Sequence, residues 1–146
     1  MTLRRFYFLL GLLTAGFLPA CGDFATQIRR HTYPPDFHYI PREQLRSTMW
    51  RLAYNVRELD RIVREPEQER VRHGEEIVNL LVGMERAVGE LGRQGWPSNH
   101  PLIDANLADF RRDIALAREA AQRKPPSHVQ AGLLTGACVY CHNRGG

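Results

Sequence analysis

Residues 42–63, REQLRSTMWRLAYNVRELDRIV, carry the clearest pattern in this chain of 146 residues. Apolar side chains recur there in alternating steps of four and three: Leu45, Met49, Leu52, Val56, Leu59 and Val63. This period places them on one face of an α-helix of roughly five turns. The stretch therefore predicts an amphipathic helix A, which ends at Glu65-Pro66 because proline disfavours helical geometry in the residue before it.

Helix B is predicted by the same alternation, from residue 68 or 69 to residue 91. Its apolar face comprises Ile77, Leu81, Met84, Val88 and Leu91. Gly74, Gly83 and Gly89 lower the helix propensity of this segment. The same glycines also fit an alternative role, in which they mark places where a neighbouring helix comes close.

Two further helices follow in the second half of the chain. Helix C is predicted from about residue 100 to a stop at residues 124–126, because its apolar face comprises Ile103, Leu107, Phe110, Ile114, Ala117 and Ala121. Helix D is predicted to begin at Ser127, which forms a capping-box pattern with Gln130. The predicted apolar face of helix D comprises Val129, Leu133, Gly136 and Tyr140.

The fold class follows from these four segments. Helices with matched apolar faces and short connections predict an all-α, antiparallel up-down-up-down four-helix bundle over residues 41–146. No strand signal of any length competes with this prediction. No carboxylate pair, nucleophile–base arrangement or phosphate-binding glycine loop stands out either, so the sequence predicts that the protein is not an enzyme.

Helix D ends in the motif Cys138-Val139-Tyr140-Cys141-His142. Two cysteines three apart, followed by histidine, have the spacing of c-type haem attachment. On a helix all three side chains lie on one side, so we expect thioethers from Cys138 and Cys141 to one haem c and an iron bond from His142. A redox disulfide lacks its βαβ setting here, and a zinc site needs a distant fourth ligand. A helical dithiol protein without haem remains the other alternative.

The first 20 residues predict an export signal, with a basic start and an apolar run too short to span a membrane. Residues 18–22, LPACG, resemble the lipobox of bacterial lipoproteins, in which the cysteine is lipidated. We therefore expect Cys21 to carry a lipid anchor on the periplasmic side of a bacterial membrane. Residues 21–40 then form a tether, or alternatively a strap over the bundle. An ordinary secretory signal with an unused cysteine is the other interpretation.

The charge pattern does not predict a nucleic-acid partner. The formal net charge is +4, and nearly all the positive residues are arginines. They alternate with acids at helical spacing, as Asp60 and Arg64 do. Such a pattern is typical of a solvated helix surface.

Residues 42–142 resemble the cytochrome c prime family, whose C-x-x-C-H lies near the end of the last helix of a four-helix bundle. The run 49–56, MWRLAYNV, is similar to the first helix of the family, and the strongest match is residues 136–138, GAC, with Cys141-His142. The resemblance implies a haem c protein, with a homodimer through the first two helices as an option. The chain departs from the family after His142, where Arg144 is a candidate for a propionate contact.

Within this resemblance, Met49 occupies the position over the distal face of the haem. Members with an apolar residue there bind nitric oxide or carbon monoxide at five-coordinate iron, whereas members with methionine use it as a ligand and transfer electrons. We therefore predict His142 and Met49 as axial ligands of an electron-transfer protein with a redox partner protein. The gas-binding protein is the alternative, because periodicity alone favours simple packing of Met49.

Several other side chains are weaker candidates. Tyr54 and Phe110 are candidates for the pocket wall, and Arg46 and Arg51 for propionate contacts. Other side chains that could ligate iron are predicted to be core, tether or helix-start residues instead: Met84, His31, His38, His73, His100 and His128.

Overall fold

The computed structural model describes residue 28 and residues 32–92 and 95–142. The predicted export signal, the predicted lipidation site Cys21 and Arg144 lie outside the described residues. The chain divides after residue 35 into two compact units. The second unit, residues 36–146, contains the helices and the site described below.

The described part of the chain is all-α, as predicted. Its helices are α1 Arg42–Val63, α2 Glu67–Arg72, α3 Gly74–Gly89, α4 Pro101–Ala121, α5 Val129–Leu134 and α6 Val139–His142. The described residues contain no β-strand, and one isolated bridge pairs His38 with Ser98. None of the helices searched in this part of the chain has the length and apolar character that crossing a membrane requires.

Helix α1 matches predicted helix A in its bounds but differs from it in burial. Its buried side chains are Thr48, Leu52, Leu59 and Ile62. Thr48 and Ile62 lie outside the predicted apolar face. Met49 and Val56 belong to that face but are only partly buried, because they border a cavity described below.

A polar network accounts for the burial of Thr48. Its hydroxyl donates to Oε2 of Glu90 (3.3 Å) and accepts from Nη2 of Arg51 (3.0 Å). Arg51 also donates through Nη1 to Oε1 of Glu90 (2.8 Å). The hydrogen bond from Arg51 lowers the pKa of Glu90 below its ordinary value. Because Glu90 follows the last residue of α3, the network joins α1 to the end of α3.

The predicted continuity of helix B is wrong, because the segment forms two helices, α2 and α3. The break is at His73 (φ −89°, ψ 12°). Gly74 follows it, and glycine adds conformational entropy to the unfolded chain without a side chain to pack. Helix α2 buries no side chain, so burial does not hold it in line with α3. The predicted apolar face of α3 is confirmed: Ile77, Leu81, Met84 and Val88 are buried.

Gly83 marks a close approach between α1 and α3. A Cβ atom added there would lie 3.1 Å from Nδ2 of Asn55. Gly74 and Gly89 have no such neighbour within 4 Å. The alternative role that the sequence offered for all three glycines therefore applies to Gly83 alone.

The predicted cap and continuity of helix D are wrong. The N-cap of α5 is His128, and no side chain caps the helix, so the predicted Ser127–Gln130 capping box does not form. A turn separates α5 from α6. In this turn the N–H of Ala137 donates to the carbonyl of Leu134, three residues back (3.0 Å). Such bonds wind the chain more tightly than an α-helix does.

This segment buries a different face from the one that the sequence predicted. The buried residues are Ala131, Leu134 and Ala137, in steps of three. Val129 and Leu133, which the sequence predicted as part of the apolar face, are 68% and 67% exposed. The step from Ala131 to Leu134 lies within α5, and the step from Leu134 to Ala137 spans the three-residue turn. The predicted steps of four and three therefore do not describe the buried face.

Helices α1, α3, α4 and α5 pack in a ring: α1 against α3, α3 against α4, α4 against α5, and α5 against α1. The predicted face of helix C is confirmed, because α4 buries Ile103, Ile114, Ala117 and Ala121. Arg111 joins α4 to the end of α3, since its Nη2 donates to the carbonyls of Val88 (3.0 Å) and Gly92 (2.6 Å).

The segment before α1 is held against the loop before α4. The side chain of Asn99 accepts from the N–H of Ile40 (2.8 Å) and donates to its carbonyl (3.1 Å). The N–H of His38 donates to the carbonyl of Pro97 (2.9 Å). Ile40 is fully buried. These contacts fix the direction in which the chain enters α1.

Candidate functional site

A cavity of about 360 Å³ lies between α1, α4 and the C-terminal segment of the chain. Helix α1 contributes one wall, with Arg46, Met49, Trp50, Leu52, Ala53 and Val56. Apolar side chains make up most of this wall. The volume of the cavity is in the range of pockets that hold small molecules and cofactors.

Helix α4 contributes a second wall, with Ile103, Asn106, Leu107 and Phe110. These residues follow steps of three, one and three, so they lie on one face of the helix. Leu91 and Ala137 complete the apolar lining. Phe110, a candidate from the sequence, is therefore a wall residue.

The three residues of the C-x-x-C-H motif border this same cavity. Cys138 and His142 are exposed, whereas Cys141 is partly buried. The N–H of His142 donates to the carbonyl of Cys138 (3.1 Å), which closes one helical turn. The structure thus brings two thiols and an imidazole to one space, although the continuous helix predicted for the segment is absent.

The two thiols differ in their surroundings. The Sγ atom of Cys141 lies 4.0 Å from the carbonyl oxygen of Leu102, in position to donate to it. Nδ2 of Asn106 donates to the same oxygen (2.8 Å). Burial raises the pKa of the Cys141 thiol above its ordinary value, and the neighbouring Cys138 raises it further. Cys141 is therefore the less reactive thiol of the haem-free chain, because the thiolate is the nucleophile.

We expect iodoacetamide to modify Cys138 several-fold faster than Cys141 in the folded chain without haem. Exposure favours Cys138, and the raised pKa keeps Cys141 protonated. The difference should shrink as the pH rises, because the Cys141 thiol then ionises. Peptide mass mapping over time measures the two rates. In urea the rates should converge, and equal rates in the folded chain would contradict the prediction.

Met49 lies on the α1 wall of the cavity that the motif borders. It is partly buried and also packs against the apolar core. The position of Met49 at the cavity is compatible with a ligand, and its contact with the core is compatible with a packing residue. Met84 differs from it, since Met84 is fully buried and does not line the cavity.

Two of the remaining candidates do not line the cavity. Tyr54 is 55% exposed, and Arg51 is bound to Glu90. Arg46 does border the cavity, which keeps it available to an acidic group of a bound molecule. The rotation of α1 about its axis decides which of these three side chains borders the cavity. The period of the apolar residues in the sequence did not distinguish them.

Sequence reasoning missed two residues of the site. Trp50 borders the cavity while 70% of it stays exposed. Asn106 lies on the cavity face of α4. The spacing of Asn106 from Ile103 and Phe110 was a usable signal, but a pattern of apolar side chains does not include an asparagine.

The other described histidines do not line the cavity: His38, His73, His100 and His128. His31 lies outside the described residues. Burial lowers the pKa of His128, and the nearby Arg70 lowers it further. Among the residues that the structure describes, no group of three or more His, Cys, Asp and Glu side chains is arranged to hold a metal ion.

No family model, curated protein or solved structure matches this chain. The cavity and the residues that border it therefore carry the functional proposal.

Proposed function

We propose that this chain is a haem c electron-transfer protein of the cytochrome c prime type. The observation that carries the proposal is the cavity that Met49 shares with Cys138, Cys141 and His142. Its donor set fits a covalently attached haem, because it offers two thiols, an imidazole and a thioether around a mostly apolar space. The proposed architecture is an antiparallel four-helix bundle, which the ring of packed helices supports.

Each side chain has a distinct proposed role. Cys138 and Cys141 would hold the haem through thioethers, in which an S–H bond is replaced by a C–S bond and the hydrogen goes to the vinyl carbon. His142 would supply a ring nitrogen to the iron, and Met49 would supply its sulfur. Haem, once bound, supplies the one-electron change of iron. A soft thioether ligand from Met49 would stabilise the reduced state and raise the potential.

The apolar walls have a role beyond packing. Leu52, Val56, Leu107 and Phe110 border the cavity, and such side chains limit the access of water to a bound cofactor. Low polarity around a metal group changes its potential. A mostly apolar pocket of this kind suits electron transfer.

The proposed location rests on the N-terminal sequence. We place the protein on the periplasmic side of a bacterial membrane, held through a lipid on Cys21. Haem c attachment in the same compartment is consistent with export. The proposed partner is another redox protein.

The proposal predicts one covalent haem per chain and low-spin optical spectra in both oxidation states. The chain is expressed with c-type maturation machinery, and a pyridine haemochrome assay measures the haem content. A chain without covalent haem would instead support the helical dithiol protein.

The gas-binding protein is the second candidate, because Met49 also packs against the core and packing alone could account for it. It predicts a high-spin, five-coordinate ferrous spectrum. Carbon monoxide then binds to the reduced protein without displacing a side chain. A low-spin ferrous spectrum in the wild type contradicts this alternative.

A further inference from the structure

Helix α1 exposes two large aromatic side chains next to the cavity. Trp50 is 70% and Tyr54 is 55% exposed. They are four residues apart, so they are neighbours on the same helix face. Single exposed apolar residues need no explanation. A pair of neighbouring exposed aromatic side chains beside the cavity is less common than a single exposed apolar residue.

Arginines flank this pair on the same face of α1. Arg46 lies one turn before Trp50, and the guanidinium of Arg57 lies 5.9 Å from the centre of the Tyr54 ring. This distance is within the range of cation–π attraction. We call Arg46, Trp50, Tyr54 and Arg57 the Trp50 face.

The arginines of the Trp50 face are poorly neutralised. Arg57 reaches Glu58 only at 3.9 Å, whereas Arg64 is bound to Asp60 at 2.8 Å. Arg46 forms no ion pair within 4.0 Å among the described residues. Glu43, one turn before Arg46, and Glu58, beside Arg57, are the acids nearest in sequence to this face. Glu58 also pairs with Arg61 (3.2 Å). Because Glu58 is shared between two arginines, the face keeps exposed guanidinium groups that attract acidic groups.

The Trp50 face also adjoins the proposed haem. Trp50 and Arg46 border the cavity in which the motif and Met49 lie. The rate of electron transfer falls steeply with the distance between redox centres, so a partner must dock beside the cofactor. A protein docked on this face would contact Trp50 and Arg46, two side chains that also border the cavity.

We infer that the Trp50 face is the docking surface for a redox partner protein with an acidic surface. Tryptophan, tyrosine and arginine are the residues that contribute most at protein interfaces. The two arginines complement carboxylates and steer the encounter. Two rings and two guanidinium groups expose too little apolar surface for stable insertion into a lipid bilayer. The inference rests on the proposed function, since it takes the cavity to hold haem.

The test uses plant-type ferredoxin, an acidic one-electron donor of low potential. One electron leaves the reduced iron–sulfur cluster and converts ferric to ferrous iron in the matured chain. Calorimetry measures binding and stopped-flow absorbance measures reduction. We expect binding to weaken as salt concentration rises. Basic horse-heart cytochrome c should bind much more weakly, and equal binding of both proteins would overturn the inference.

Variants of the Trp50 face localise the binding. Arg57→Glu should weaken ferredoxin binding about tenfold or more, because it replaces attraction by repulsion. Tyr54→Ala should weaken it several-fold. Arg86→Glu is the matched charge control, since Arg86 is exposed in the last turn of α3. Leu133→Ala is the control for an exposed apolar side chain. Equal losses in the controls, or none in Arg57→Glu, would overturn the inference.

A membrane surface is the other partner that the test must separate. Vesicles of phosphatidylcholine with phosphatidylserine are offered to the same proteins. The inference would be overturned in favour of lipid if the wild type binds vesicles, if Tyr54→Ala and Arg57→Glu abolish this binding, and if both variants still bind ferredoxin as the wild type does. Haem content of each preparation is measured separately, so a failure of the proposed function is distinguishable from a failure of docking.

Discussion

Replacement of both Cys138 and Cys141 by serine is expected to abolish covalent haem attachment. A serine hydroxyl is nearly the same size as a thiol but does not add to a vinyl group under these conditions. Intact mass should therefore equal that of the polypeptide alone, and the pyridine haemochrome signal should vanish after acid–acetone extraction. Each single variant should keep one thioether, and its haemochrome band should move to longer wavelength because one vinyl group remains.

The same double variant is expected to lose stability. At about 24 cal/mol per Å³, a sealed void of the observed 360 Å³ would cost roughly 9 kcal/mol. Trp50 borders the cavity and is 70% exposed, so the cavity is not sealed. We therefore expect a smaller cost of a few kcal/mol, on the order of half the stability of a small domain. A loss of this size lowers Tm by about 10–20 °C. Calorimetry of the variant against the haem-loaded wild type measures it.

Cys21→Ser is the matched control, because it makes the same chemical change outside the motif. It should retain full haem content and the wild-type Tm of the helical unit, residues 36–146. Covalent haem in the Cys138→Ser, Cys141→Ser variant would contradict the proposed attachment site. Loss of haem in Cys21→Ser alone would show that export, not the motif chemistry, limits maturation.

The sequence predicted the long helices well because burial dominates them. In α3 and α4 the apolar residues face one core, so steps of four and three report burial directly. In the last segment this relation fails. There α5 buries Ala131 and Leu134, and a three-residue turn then brings Ala137 to the core. Val129 and Leu133, which the pattern favoured, stay exposed. Local backbone geometry, which hydropathy does not encode, decides which face is buried.

The candidate site could be predicted in part. The C-x-x-C-H spacing is a local signal, so the motif was found without any knowledge of the fold. The Leu102 carbonyl beside Cys141 had no such signal, because every residue carries a carbonyl and only the packing of α4 against α6 selects this one. Trp50 shares a helix turn with Met49, yet the sequence could not tell which neighbours of Met49 would face the cavity.

Met49→Leu is expected to convert the protein from low-spin to high-spin, with five-coordinate ferrous iron. Leucine keeps the size and apolar character of methionine, and such exchanges usually cost less than about 1.5 kcal/mol. It lacks the sulfur that the proposal assigns to iron. The reduced variant should bind carbon monoxide at least about tenfold more tightly, because no internal ligand competes, and tenfold corresponds to about 1.4 kcal/mol. Its potential should fall, since the thioether favours ferrous iron.

Met84→Leu is the control that separates ligation from packing. Met84 is fully buried in the core and lies off the cavity, so the same exchange there tests volume and flexibility without touching the proposed iron bond. If Met49 only packs, both variants should keep the wild-type spectrum and should differ from the wild-type protein at most in Tm. If Met49 binds iron, Met49→Leu changes the spin state while Met84→Leu does not. An unchanged low-spin spectrum in Met49→Leu would therefore reject Met49 as the sixth ligand, even with haem firmly attached at Cys138 and Cys141.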